Sequence, residues 1–93
     1  MPRPARPSPR DHVTDWPESP AADAVAEVAR QFAVNLRSAI GTTSLRETGT
    51  SVGVDHSTIL AILQGRSWPD LATIAKLEGG LGVDLWPGRV GTR

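Results

Sequence analysis

The chain has 93 residues, no cysteine, two histidines 44 positions apart and a formal net charge of zero. That length supplies one small domain, which buries roughly 60% of the surface its unfolded form exposes, and the lack of thiols excludes a disulfide framework, a thiolate zinc site and a cysteine nucleophile. No apolar run reaches the roughly 20 residues of a membrane span, and the opening "MPRPARPSPR" lacks the apolar centre of a secretory signal, so a cytoplasmic protein with no membrane partner, metal or cofactor is expected.

Six of the eight prolines lie in the first twenty residues, together with Arg3, Arg6 and Arg10. This segment carries too little aliphatic surface to offset its ordering entropy, so residues 1–19 read as a flexible Pro/Arg-rich arm. Its three arginines suit it to lie along phosphates or in a minor groove. Ser19 followed by Pro20 reads as an N-cap with proline at the first helical position, opening a domain over residues 20–87 that leaves 88–93 as a short tail. Val25, Val28, Ala29, Phe32, Leu36 and Ile40 then recur at three- and four-residue steps, the pattern of one amphipathic helix, which Gly41 ends as a left-handed cap would. Glu27 and Arg30 fall on its other face as a solvated pair.

In "TTSLRETGTSVGV", Ser44 with Glu47 three residues on is a capping-box signature, predicting a helix over residues 45–52 that stops at Gly53. Thr48, Gly49, Thr50 and Ser51 are poor helix formers. An interior glycine costs about 1 kcal/mol against alanine, so Gly49 implies a packing reason such as the close approach of a neighbouring helix. Asp55 caps "HSTILAIL", with Gln64 and Gly65 closing it. Asp70 caps a fourth helix whose apolar set is Leu71, Ile74, Ala75, Leu77 and Leu81, with Gly79, Gly80 and Gly82 weakening its end. A last turn, "VDLWPG", carries Leu85 and Trp86 back towards the core. With no sustained alternation and no hairpin signal, the class is all-α: a compact bundle of four to five helices.

Two short helices joined by the tight "VGVD" corner, with one helix before and one after, form the geometry of a helix-turn-helix, in which the second of the pair lies in the DNA major groove. The run "SLRETGTSVGVDHSTILAILQGRSWPDLATIAKLEGGLGVDL" resembles the Cro and phage-repressor type of helix-turn-helix domain, also called the xenobiotic-response-element class. The matching residues are Gly53, Val54 and Asp55 at the corner, Ser57, Thr58 and Ile59 after it, then Gly65, Pro69, and Leu81, Gly82 and Val83. The match covers residues 44–85.

That resemblance implies a lambda-repressor-like bundle that binds double-stranded DNA as a transcriptional regulator, with the helix 56–64 in the major groove. His56 and Ser57 are then the primary base-reading candidates and Thr58 and Ala61 the secondary ones, Ala61 able only to touch a thymine methyl; Gln64 reaches a base or a phosphate. Phosphate contacts are expected from Thr43 and Ser44 at the start of the preceding helix, and from Arg46, Arg66 and Ser67. A single small module supplies few contacts for specific affinity, so a homodimer on an inverted repeat, acting as a repressor, is expected, with the long first helix and the "LWPG" end as candidate dimer surfaces.

Three features keep other outcomes open. Leu60 and Leu63 stand where relatives tend to be polar, and either neighbouring elements cover them or they form an exposed apolar strip for another subunit or protein. Trp68 and Trp86 are expected as lids on the core. Residues 22–86 carry seven acids against five bases, so the folded part needs the arm or a second copy to bind phosphates well. The alternative is a protein-interaction module on the same fold, antitoxin-like or a partner of the transcription machinery. An enzyme finds no support, because neither metal-ligand spacing nor a phosphate-cradling glycine motif is present, and adjacent His56 and Ser57 point about 100° apart on a helix.

Overall fold

The computed structural model describes residues 7–90. Among them are a short 3-10 turn (Pro9–His12), four α-helices and no strand: α1 (Ala24–Ile40), α2 (Leu45–Val52), α3 (His56–Leu63) and α4 (Leu71–Leu81). Three of the four starts are where the capping pattern put them. Ser44 accepts from the Glu47 amide, Asp55 from the Ser57 amide and Asp70 from the Thr73 amide, each satisfying an amide that has no partner inside its helix.

Helix α1 starts later than the Ser-Pro signal suggested. Its N-cap is Asp23, whose carboxylate accepts from the Ala26 amide at 2.9 Å, while the Ser19 amide is spent on the Asp15 carbonyl in a preceding turn. At its other end Gly41 has positive φ but ψ of −126°, outside the left-handed cap conformation expected there. The two short helices end as predicted in kind, with Gly53 in the left-handed region at φ 79°.

Helix α3 packs on both α1 and α2, and α4 packs on α2. The core is built from Phe32, Leu36 and Ile40 of α1, Val52 and Val54 around the corner, Ile59, Ile62 and Leu63 of α3, Ile74 and Leu77 of α4, and Leu85. Leu85 returns as expected, held by Glu78, which accepts from the Leu85 and Trp86 amides at 2.8 and 2.9 Å, and by Asn35, whose amide donates to the Leu85 carbonyl.

Several side chains assigned to the core by periodicity lie outside it. Val25 is 65% exposed and Leu71 83% exposed, both in the first turn of their helices, where the chain has only begun to pack; Ala26 takes the buried place on α1 instead. Ala75 is also exposed. Trp86 is 52% exposed and is no lid, because the turn that buries Leu85 sends the next side chain outward.

The largest departure concerns residues 7–23, which lie against the helices rather than forming the flexible arm read from composition. Pro9 is buried, the Arg10 amide donates to the Gly65 carbonyl at 2.9 Å, and the Trp68 indole N–H donates to the Pro7 carbonyl at 2.9 Å. Trp16 lies across the end of α3, its indole N–H donating to the Leu63 carbonyl at 2.8 Å. Its ring lies so close to Gly65 that a Cβ there would be 2.5 Å from it. Counting aliphatic side chains missed this, because proline loses no side-chain freedom on ordering and one tryptophan supplies the contact area of several smaller residues. Arg3 and Arg6 lie outside the described residues.

Glu27 and Arg30 fasten this strap to α1 and are not the solvated pair expected, each side chain being 15% exposed. Glu27 accepts from Arg30 Nε and Nη2 at 2.8 and 2.6 Å, from Gln31 at 2.8 Å and from the Ala21 amide at 2.8 Å, while Arg30 Nη1 donates to the Pro17 carbonyl at 2.8 Å. The Arg30 guanidinium is the main cause that brings the Glu27 carboxyl down to about 2. A carboxyl depressed on folding contributes stability that is complete above its ordinary pKa of 4.5 and is lost as pH falls through about 2. Glu27→Gln is expected to cost about 1.5–3 kcal/mol at pH 7, the range for hydrogen bonds to a charged group. Urea melts of the two proteins between pH 7 and pH 2 should converge below pH 4.5, and a gap of constant size would show that the pair is not coupled to folding.

Candidate functional site

The α2–α3 corner is set by backbone, not by side chains. Gly49 lies where α2 passes the start of α3: a Cβ at this position would be 2.6 Å from the Val54 carbonyl oxygen and 3.2 Å from the His56 nitrogen. Its carbonyl in turn accepts from both the Gly53 and Val54 amides, at 2.9 and 3.1 Å, which closes the corner. The packing reason that the sequence implied for Gly49 is therefore the turn itself. Val54 plugs the corner from beneath, 9% exposed.

Helical phase then divides α3. Ile59, Ile62 and Leu63 face the core at 0, 2 and 8% exposure, which settles Leu63 as covered. Leu60, at 36%, is only partly covered. The outward face carries Ser57, Leu60 and Gln64, all exposed, with His56, Thr58 and Ala61 half-buried beside them.

Residues 41–85 match the family model described as helix-turn-helix. In that segment α2, the corner and α3 have the arrangement of a helix-turn-helix. A search of the curated proteins finds no match for the chain. Helix-turn-helix domains are a DNA-binding class that serves transcription regulation. No helix among the described residues is long and apolar enough to cross a membrane, and no group of three or more His, Asp or Glu among them is placed to hold a metal ion.

On the helix-turn-helix, a groove between α2 and the corner brings together Arg46, Gly49, Thr50, Asp55 and His56. Two of the expected residues, Arg46 and His56, thus share one surface. Thr50 joins them although the sequence reading passed over it; the signal was available, since Thr50 follows Arg46 by one helical turn and shares its face.

Several candidates are engaged within the chain. The Ser57 hydroxyl donates to the Asp55 carboxylate, and the Ser57 amide donates to the same oxygen at 3.1 Å. These bonds hold the Asp55 carboxyl below its ordinary value, keeping a negative charge beside the first turn of α3, with His56 Nδ1 4.0 Å from its other oxygen. Gln64, the C-cap of α3, accepts at Oε1 from Arg66 Nε at 2.7 Å, joining an expected base reader to an expected phosphate contact.

Ser44 is engaged as well. Its hydroxyl accepts from the Glu47 amide and donates to the Glu47 carboxylate, both at 3.1 Å, so an acid stands at the start of α2. Thr43 beside it is exposed, as are Arg46 and Arg66, while Ser67 is half-buried. Arg10 is exposed, and the hydrogen bond from its amide to the Gly65 carbonyl sets its backbone beside that of Arg66.

Away from this face, an apolar cleft of about 450 Å³ opens between α1, the α3–α4 connection and the C-terminal turn, lined in part by Val25, Val28, Phe32, Trp68 and Trp86. The long first helix and the "LWPG" end meet there.

Proposed function

We propose that the protein is a sequence-specific transcriptional regulator, a repressor that binds an inverted repeat as a homodimer with α3 in the major groove. The observation that carries this reading is the outer face of α3, with Ser57, Leu60 and Gln64 exposed and His56 sharing a groove with Arg46, in a segment that matches the helix-turn-helix family. A helix whose outer face is exposed, set by a rigid corner, can enter a groove about 12 Å wide.

In this reading His56 and Ser57 meet base edges at the first turn, Thr58 and Ala61 flank them, and Gln64 lies at the far end. Arg46, Thr43 and Ser44 approach phosphates on one side of the helix, and Arg66, Ser67 and Arg10 on the other, with Arg3 and Arg6 adding charge. Asp55, held ionised by Ser57, opposes phosphate approach near the first turn, which favours base contact there over backbone contact. The acids elsewhere leave one module with little non-specific affinity, and a second copy supplies the missing contacts. The cleft beside Val25 and Trp86 is the surface we assign to that second copy, since it joins the most exposed valine of α1 to the exposed tryptophan of the C-terminal turn.

The test is selection of binding sites from randomised duplexes with the purified protein. An inverted repeat is expected. Val25→Asp, a change at a 65% exposed position, should reduce it to a single half-site and dissolve the dimer in sedimentation. Ser57→Ala should relax preference at one base pair by about 1–3 kcal/mol, while Arg66→Ala should weaken all sequences alike and lower the slope of log affinity against log salt by about 1. Selection that enriches no sequence, with salt-indifferent capture of a protein partner, would replace this reading by the protein-interaction one.

A further inference from the structure

We infer that Leu60 is a specificity-determining residue, reading the C5-methyl group of a thymine in the major groove; the inference rests on the DNA-binding reading above. Ser57, Leu60, Ala61 and Gln64 share the outward side of α3, since steps of about 100° place them opposite the buried Ile59 and Ile62. Leu60 lies midway along that side, four residues after His56 and four before Gln64 and on the flank nearer Leu63, and keeps 36% of its surface exposed.

The polar groups on either side of it are partly spent. A serine hydroxyl has one hydrogen, and that of Ser57 goes to the Asp55 carboxylate, which leaves Ser57 only acceptor capacity towards a base. The Gln64 carbonyl takes the Arg66 Nε hydrogen on one of its two lone pairs, which ties the orientation of its amide to Arg66. Between them, the central turn offers carbon alone, from Leu60 and Ala61. The thymine methyl is the one major-groove feature that carbon can recognise, and the isobutyl group of Leu60 extends beyond the single methyl of Ala61. An apolar side chain also selects against the other bases, because it covers their donors and acceptors without replacing the water they lose.

The experiment starts from the site that duplex selection yields. Each thymine in it is replaced in turn by deoxyuridine, which keeps the pairing and removes only the methyl group. The wild-type protein should lose affinity by about three- to tenfold at one position, the scale of one buried methyl contact. Leu60→Ala should bind the thymine and deoxyuridine duplexes alike there, while Gly79→Ala, on α4, where nothing lies within 4 Å of a Cβ, should keep the wild-type ratio; melting curves check that Leu60→Ala leaves the fold intact. Equal affinity of the wild-type protein for thymine and deoxyuridine at every position would overturn the assignment. So would a Leu60→Ala protein that keeps the wild-type ratio, or one whose only change is a lost dimer in sedimentation. Failure of selection itself would instead overturn the DNA-binding reading, so the two failures are told apart.

Discussion

Gly49→Ala is expected to destabilise the protein by about 1–3 kcal/mol, even though alanine is the better helix former by up to about 1 kcal/mol. The added methyl would meet the Val54 carbonyl oxygen at 2.6 Å and the His56 nitrogen at 3.2 Å, and both are backbone atoms of the corner. A side chain could swing aside; this backbone is held by the Gly53 and Val54 amides on the Gly49 carbonyl and by the Asp55 cap that starts α3. Relief requires α2 and α3 to separate, which opens the core at Val52 and Val54. For a chain of this size, a loss of 1 kcal/mol lowers the melting temperature by about 4–8 °C. Gly79→Ala is the matching control. Nothing lies within 4 Å of a Cβ at Gly79, inside α4, so the same chemical change should raise stability by up to about 1 kcal/mol. Thermal melts of the two variants should move in opposite directions, and a Gly49→Ala protein as stable as the parent would show that the corner yields.

Trp16→Ala is expected to cost about 2–4 kcal/mol, towards the lower part of the range for removing a large aromatic because the ring is half-buried. The loss has two separable parts. Trp16→Phe keeps a ring over Gly65 but gives up the hydrogen bond to the Leu63 carbonyl, and should cost about 0.5–1.5 kcal/mol. Trp16→Ala removes both and frees the strap, so the exposed Arg10 should become a fast site of trypsin cleavage. Urea melts and a cleavage time course measure the two effects. Unchanged stability together with unchanged cleavage would mean that residues 7–23 contribute nothing to the helical body.

The helix-turn-helix was legible because its instructions are local. Ser44, Asp55 and Asp70 cap helices by reaching amides two or three residues ahead, and Gly53 ends α2 in the left-handed region, so short stretches of sequence carry these boundaries. The Ser19–Pro20 signal was equally local and failed, because Glu27, six residues on from Ala21, draws the Ala21 amide into a non-helical turn and Asp23 caps α1 in its place. Among the site residues, periodicity identified the outward side of α3. It could not show that Ser57 and Gln64 are already bonded to Asp55 and Arg66, since those bonds depend on rotamers chosen in three dimensions.

By itself the sequence determined the helical class, the positions of α2, α3 and α4, and the two-sided character of α3, because capping and helical period act over a few residues and do not depend on the rest of the chain. Only the tertiary structure decided which of Leu60 and Leu63 is covered, and that Trp16 and Pro9 turn a proline-rich leader into a strap closing the end of α3. Those outcomes are set by contacts across the fold, such as the 47 positions separating Trp16 from Leu63. A hydrophobic residue is drawn out of water wherever a partner surface is offered, and the sequence does not say where that surface will be.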